Sequence, residues 1–177
     1  MSVHAFIDES ARAGTYLLCV TLVEPAHLAT TRRALARLLL PGARELHFCK
    51  EKPPRRRQLA DRIAALPVSS RVYFGRCDRK EEERTRQQCL KQIVNDLLEL
   101  RAHRVVLDSR DSRDVHDRST LQRSLGSHPS KTELTYEHLD SAVEPLLWIS
   151  DAVGWCYGAG GDWRRRTIPV LQDVIEL

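Results

Sequence analysis

The stretch VHAFIDES, residues 3–10, is a short apolar run that ends in three polar residues, Asp8, Glu9 and Ser10. A second apolar run covers residues 15–23, and a turn containing Gly14 separates the two runs. Two strand-like runs joined by a short Gly-containing connection are typical of a β-hairpin. The chain therefore begins with two paired strands, the first of which ends in acidic residues.

Beyond the hairpin, the apolar spacing predicts helices and strands that alternate. Residues 25–68 carry helical patterns and no strand, and residues 70–77 form a third strand. There follow predicted helices and strands in the order helix 80–100, strand 104–108, helix 116–125, strand 134–139 and helix 141–157, and a final helix over 162–177. The acid–Arg alternation at residues 111–117 indicates a solvated loop. A hairpin followed by alternating units predicts an α/β domain, residues 1–177, with helices packed on a mixed sheet.

Composition places the chain among soluble globular proteins. Its 177 residues are 42% hydrophobic and 29% charged, with 28 Lys and Arg against 24 Asp and Glu. We expect a cytoplasmic protein, because no apolar run approaches the roughly 20 residues of a membrane span and the beginning of the sequence lacks signal-peptide regions. Of the 28 basic residues, 23 are Arg. Arg suits phosphate recognition, but a biased genome would produce the same excess.

Three carboxylates occupy positions where a charge is costly. Asp8 and Asp108 each end an apolar strand, at the edge where sites form in open α/β sheets. Asp151 lies on a predicted helix among non-polar neighbours, and an uncompensated charge on a packed face costs several kcal/mol. Three such acids from separate elements would hold one or two Mg²⁺ or Mn²⁺ ions, which prefer carboxylate oxygens. Two such ions could activate a water and stabilise the leaving oxygen in phosphodiester cleavage, the two-metal mechanism. Each acid could instead cap a turn or pair with an Arg.

Glu45 and His47 form a second, weaker candidate. They are two residues apart in an extended segment and therefore point the same way. Glu45 could be a fourth metal ligand and His47 a general base or proton shuttle. The alternative is an ordinary pair in a surface loop.

Motifs of other enzyme classes are absent from the sequence. It contains no GxxxxGK[ST] phosphate loop and no GxSxG nucleophile motif. The five cysteines form no CxxC pair, which argues against a zinc ribbon or a disulfide framework.

FIDES (residues 6–10) and WISDAVGW (residues 148–155) resemble motifs of the domain-of-unknown-function 3800 family, which is similar to the ribonuclease H-like superfamily. The resemblance implies a ribonuclease H-like, five-stranded mixed sheet flanked by helices, with residues 25–68 as a helical insertion between the second and third strands. It implies that the first and fourth strands are neighbours, which brings Asp8 beside Asp108. Ribonuclease H also has a Glu on its first long helix, and Glu45 or His47 would replace it here.

The resulting hypothesis is a Mg²⁺- or Mn²⁺-dependent nuclease acting on DNA or RNA. Its metal ligands would be Asp8, Asp108, Asp151 and Glu45, with His47 moving protons. Two alternatives stay open: a non-catalytic module that binds nucleic acid or protein through the Arg clusters at 55–57 and 164–166, and a small-molecule phosphoester hydrolase.

Overall fold

The computed structural model describes residues 3–12, 14–109, 114–126 and 134–177. In these ranges, six strands form one mixed sheet in the order β5-β4-β1-β2-β3-β6. The strands are β1 (His4–Arg12), β2 (Thr15–Val23), β3 (Ser69–Arg76), β4 (Arg104–Asp108), β5 (Thr135–Leu139) and β6 (Leu171–Glu176). The helices are α1 (Leu28–Ala36), α2 (Pro53–Ala64), α3 (Glu82–Glu99), α4 (Asp114–Gly126), α5 (Leu147–Ala159) and α6 (Gly161–Thr167).

The predicted strand neighbours are confirmed. The hairpin of β1 and β2 is antiparallel, as is the pairing of β2 with β3. β1 also pairs in parallel with β4, with Ile7 opposite Leu107, so Asp8 and Asp108 are the next residues along the two strands. The helical segment predicted at 25–68 is confirmed as well, since α1, α2 and two short 3₁₀ helices connect β2 to β3.

The end of the chain differs from the predicted helix over 162–177. The helix α6 ends at Thr167, and β6 then adds a sixth strand, parallel to β3, to the five that were expected. Pro169 is the physical reason: it has no backbone N–H, so the hydrogen bonds of the helix cannot continue through it. The segment beyond it pairs its backbone along β3 instead.

Two hydrophobic cores lie on opposite faces of the sheet, and strand alternation assigns each side chain to one of them. On β1, Phe6 packs in the core under α5 and the insertion, whereas Ala5 and Ile7 pack under α3 and α4. On β4, Val106 shares the face of Phe6. Because side chains alternate with a period of two, Asp8 and Asp108 lie on the α5 face and Glu9 lies on the α3–α4 face.

The helix α5 lies close to the sheet along a line of small residues spaced four apart. Ser150 donates a hydrogen bond to the Phe6 carbonyl at 2.8 Å. A Cβ atom on Gly154 would stand 3.2 Å from Leu17 and 3.3 Å from Cys19, closer than ordinary packing. Because the helix lies so close to the sheet here, Asp151, which directly follows Ser150, lies over the carboxyl end of β1.

Candidate active site

An open cavity of about 530 Å³ lies at the carboxyl ends of β1 and β4. Asp8, Asp108 and Asp151 all line it, one from each of β1, β4 and α5. Leu147, Trp148 and Trp155 line it too, which shows that the non-polar neighbours of Asp151 form the wall of this cavity. The structure thus brings together three acids that are 43 residues or more apart in sequence.

The backbone holds two of these carboxylates. Asp8 accepts a hydrogen bond from the N–H of Glu9 at 2.7 Å through Oδ1, and Asp151 accepts one from the N–H of Phe48 at 2.9 Å through Oδ2. Each of these bonds fixes one oxygen of its carboxylate and so orients the group.

The negative charge of the site raises the pKa of two nearby thiols, those of Cys19 and Cys156. Burial raises the pKa of the Cys19 thiol, and the charges of Asp8 and Asp151 raise it further. Burial and then the charge of Asp151 raise the pKa of Cys156 to about 12. Both thiols are therefore protonated at neutral pH and are poor nucleophiles, because the thiolate is the reactive form.

The insertion supplies a second wall of the cavity. Leu46, His47 and Cys49 line it, and Phe48 between them is fully buried against Trp155, with ring centroids 5.4 Å apart. The Phe48 side chain therefore anchors the segment that presents His47 and gives its N–H to Asp151.

Glu45 and His47, which were expected to point the same way, contact each other. His47 Nε2 lies 2.8 Å from Glu45 Oε1, and Ser141, which lines the cavity, donates a hydrogen bond to the other carboxylate oxygen. The Ser141 hydrogen bond, and then that of His47, hold the pKa of Glu45 below its usual range. Glu45 itself is not among the residues that line the cavity. Its geometry therefore suits a residue that orients His47.

The donor set suits a hard cation, although the ligands are not gathered around one point. Three carboxylates from three elements face one cavity, and such oxygens are the ligands preferred by Mg²⁺ and Mn²⁺. Over the described ranges, no three His, Cys, Asp or Glu side chains stand close enough together to hold a metal ion as they are. The chemistry of the residues fits a divalent cation.

Two arginines approach the cavity beside the acids. The guanidinium carbons of Arg12 and Arg56 lie 4.9 Å and 4.6 Å from the centroid of the Trp155 ring. Arg12 also lines the cavity. The two guanidinium groups are held over the Trp155 ring by cation–π contacts. The edge of the cavity is therefore positively charged, whereas the aspartates inside it are negatively charged.

Sequence reasoning missed a buried ionic cluster on the other face of the sheet. Arg86 of α3 donates to Asp117 at 2.8 Å and 2.6 Å, to the Tyr16 hydroxyl at 2.6 Å, and also to Glu9. Asp117 lies where the predicted solvated loop 111–117 and the predicted helix 116–125 overlap. It belongs to α4 and is 1% exposed, so the expectation of solvation was wrong for it; residues 111–113 of that loop lie outside the described residues. His138 Nε2 lies 3.5 Å from Asp117. We define these five residues as the Arg86 cluster.

Comparison with known proteins supports the fold. A chain from the structure of the PCNA:RNase HII complex from Archaeoglobus fulgidus is 19% identical to this chain, with a TM-score of 0.55. The match covers 94% of this chain and 74% of that one, so the protein has a mixed α/β, ribonuclease H-like fold. No family model matches the sequence, and no curated protein matches it. The likeness to the domain-of-unknown-function 3800 family therefore rests on its two short motifs. In the described part of the chain, no helix combines the length and apolarity that a bilayer crossing requires.

Proposed function

We propose that this chain is a divalent-metal-dependent nuclease that hydrolyses phosphodiester bonds in DNA or RNA. The observation that carries the proposal is the presence of Asp8, Asp108 and Asp151 in one cavity at the carboxyl end of the sheet. The ribonuclease H-like fold and the likeness of FIDES and WISDAVGW to the domain-of-unknown-function 3800 family support it. The proposal treats residues 1–177 as one domain.

In this proposal, the three aspartates hold Mg²⁺ or Mn²⁺. A bound divalent cation lowers the pKa of a coordinated water and neutralises charge that develops on phosphate oxygens. The chain contributes the alignment of the ligands: the N–H groups of Glu9 and Phe48 fix the Asp8 and Asp151 carboxylates before any substrate arrives. Such preorganisation avoids rearrangement during the reaction.

His47 is the residue proposed to move protons. It lines the cavity, and its Nε2 contacts Glu45, which a hydrogen bond from Ser141 holds in turn. A side chain held by one partner and facing a reaction site can pass a proton between water and the leaving oxygen. Both Glu45 oxygens already accept such contacts, which favours an orienting role over the role of fourth metal ligand.

The direct test is metal binding and metal-dependent cleavage by the intact chain. We expect Mn²⁺ to raise the melting temperature of the protein, since a ligand that binds only the folded state stabilises it by about 2.7 kcal/mol at one hundred times its dissociation constant. We also expect Mn²⁺ to support cleavage of single-stranded DNA or RNA, and EDTA to abolish it. Activity that survives EDTA would exclude the metal mechanism, and turnover of small phosphoesters with no cleavage of polymers would favour the small-molecule alternative.

Changes at His47 and Glu45 separate their roles. We expect His47→Ala to lower the turnover number by about 10²- to 10⁴-fold, the usual contribution of a general acid or base, with Mn²⁺ affinity unchanged. Glu45→Gln should lower turnover as well and leave Mn²⁺ affinity unchanged if Glu45 orients His47. A loss of Mn²⁺ affinity in Glu45→Gln would instead make Glu45 a ligand. His116→Ala, an exposed histidine on α4, is the matched control. Unchanged turnover in His47→Ala would remove His47 from the mechanism.

A further inference from the structure

A groove of about 750 Å³ lies beside the cavity that Asp8, Asp108 and Asp151 line, which we call the acidic cavity. We call this groove the basic groove. It is lined by Arg12, Arg76 and Arg164 and by the aromatic residues Phe74 and Tyr157. Arg12 lines both the basic groove and the acidic cavity, so the two lie next to each other at that side chain. Of the described residues that line the groove, none is acidic. The negatively charged cavity thus lies beside the positively charged basic groove.

The structure holds two of these guanidinium groups in place. Arg164 donates to the Tyr157 carbonyl through Nε at 3.2 Å and Nη2 at 3.0 Å, with its guanidinium carbon 4.1 Å from the Tyr157 ring centroid. Arg12 lies over Trp155 and passes Gly158, where an added Cβ would stand 2.9 Å from Arg12 Nε. Since a guanidinium has five N–H donors, Arg164 retains donors for a ligand after these two bonds.

The neighbouring arginines differ from Arg164 in having carboxylate partners. Arg165 pairs with Asp162, and Arg166 pairs with both Asp162 and Asp61. Arg76 has Glu176 at 3.4 Å, but its side chain is 81% exposed and extends into the groove wall. Of the sequence cluster at 164–166, Arg164 is therefore the residue whose geometry points to an external anion.

We propose that the basic groove binds the phosphates of a nucleic-acid strand whose neighbouring phosphodiester occupies the acidic cavity. This proposal rests on the proposed nuclease function for the position of the reacting bond. The helix α5 runs from Asp151 beside the cavity to Gly158 in the groove, about 10 Å at 1.5 Å per residue. At the rise of about 3.4 Å per nucleotide that each strand has along a double helix, this is a span of roughly three nucleotides.

The residue types of the groove favour a phosphodiester chain over an acidic peptide. Arg forms paired hydrogen bonds to phosphate, and the groove combines three Arg side chains with the aromatic residues Phe74 and Tyr157, a combination typical of surfaces that bind nucleic-acid strands. The same strand, attracted by the groove, is directed past Arg12 into a cavity that would otherwise repel it. The groove thus supplies the substrate attraction that the acidic site lacks.

The test measures binding in the absence of cleavage. A labelled 12-nucleotide oligo-dT is titrated with the intact protein in EDTA over a range of NaCl concentrations. For the double variant Arg76→Gln/Arg164→Gln, we expect the slope of log affinity against log salt to decrease in magnitude by about 1.4, at about 0.7 per phosphate contact on single strands. If the variant and the wild-type protein bind equally at 1 M salt, this difference in slope makes the affinity of the variant about 25-fold lower at 0.1 M salt.

Two control proteins make the result specific. Arg84→Gln/Arg123→Gln removes the same charge from the exposed surface of α3 and α4, and should keep the wild-type slope. The single variant Arg164→Lys, in which Arg76 is unchanged, retains the positive charge and should keep most of the wild-type slope. An unchanged slope in Arg76→Gln/Arg164→Gln, or an equal loss in the control, would overturn the proposal. Competition by an oligo-glutamate of equal charge as strong as that of unlabelled oligo-dT would overturn nucleic acid as the partner.

The proposal for the basic groove and the proposal of a nuclease function can be rejected independently of each other. A slope that depends on the groove without any metal-dependent cleavage would support the groove and reject the nuclease function. Cleavage with Mn²⁺ by a protein whose binding ignores Arg76 and Arg164 would reject the groove and retain the nuclease function.

Discussion

Asp8→Asn and Asp108→Asn are each expected to lower Mn²⁺-dependent cleavage of a nucleic-acid strand by about 10³-fold or more. Several kcal/mol of transition-state stabilisation depend on a catalytic metal, and each 1.36 kcal/mol is a factor of ten in rate. Asn has nearly the shape of Asp and can still accept the hydrogen bond from the N–H of Glu9 at position 8. The substitution therefore removes the charge and one ligand oxygen and leaves the local backbone intact.

The measurement is an initial rate of cleavage at saturating Mn²⁺, together with Mn²⁺ affinity by calorimetry. Both variants should lose affinity, because each has one carboxylate fewer in the cavity. Asp173→Asn is the matched control, since Asp173 is an exposed residue of β6, at the opposite edge of the sheet from β5. Wild-type rates in both Asp8→Asn and Asp108→Asn would exclude this cavity as the active site, whatever the fold.

Much of the acidic cavity was predictable from local sequence. Each of Asp8 and Asp108 follows a run of apolar residues, and the period of two along a strand determines which face each side chain occupies. The pairing of β1 with β4 is non-local, and it entered as an implication of the family resemblance. Asp151 was recognisable because its neighbours three and four residues away are non-polar, and the structure shows Leu147, Trp148 and Trp155 beside it on the cavity wall.

The parts that sequence did not predict depend on partners distant in the chain. The strand β6 forms because β3 offers an open edge, which no local pattern reveals. The position of Glu45 behind His47 depends on Ser141, about one hundred residues later in the chain. The burial of Arg86 had a local signal, because it lies four residues before Leu90 and seven before Ile93, on the buried stripe of α3.

Arg86→Met is expected to reduce the free energy of unfolding by about 3–5 kcal/mol, the cost of removing one partner from a buried ion pair. Arg86 is 4% exposed, and its removal leaves Glu9 and Asp117 under the α3–α4 face without their shared cation. Urea unfolding followed by circular dichroism measures the change. Arg84→Met, on an exposed position of the same helix, should change stability by less than about 0.5 kcal/mol.

A compensating variant distinguishes lost charge pairing from lost packing. Arg86→Met combined with Glu9→Gln and Asp117→Asn leaves no unpaired carboxylate in the cluster and should recover part of the lost stability. If the triple variant is as unstable as Arg86→Met alone, the packing of the guanidinium, and not its charge, accounts for the loss.

The pH dependence of stability provides an independent measure of the same cluster. Burial alone would raise the pKa of Asp117, but the hydrogen bonds from Arg86, and after them the interaction with His138, outweigh burial and lower the pKa to about 2, from 3.8. A carboxyl with a depressed pKa in the folded state stabilises the protein above its unfolded pKa, and this contribution is lost as the pH falls from about 4 to about 2. The wild-type protein should therefore lose about 2 kcal/mol over that interval through Asp117. Asp117→Asn should be less stable at pH 7 and show a correspondingly shallower acid dependence. An unaltered acid profile would mean that the pKa of Asp117 is not depressed in the folded protein.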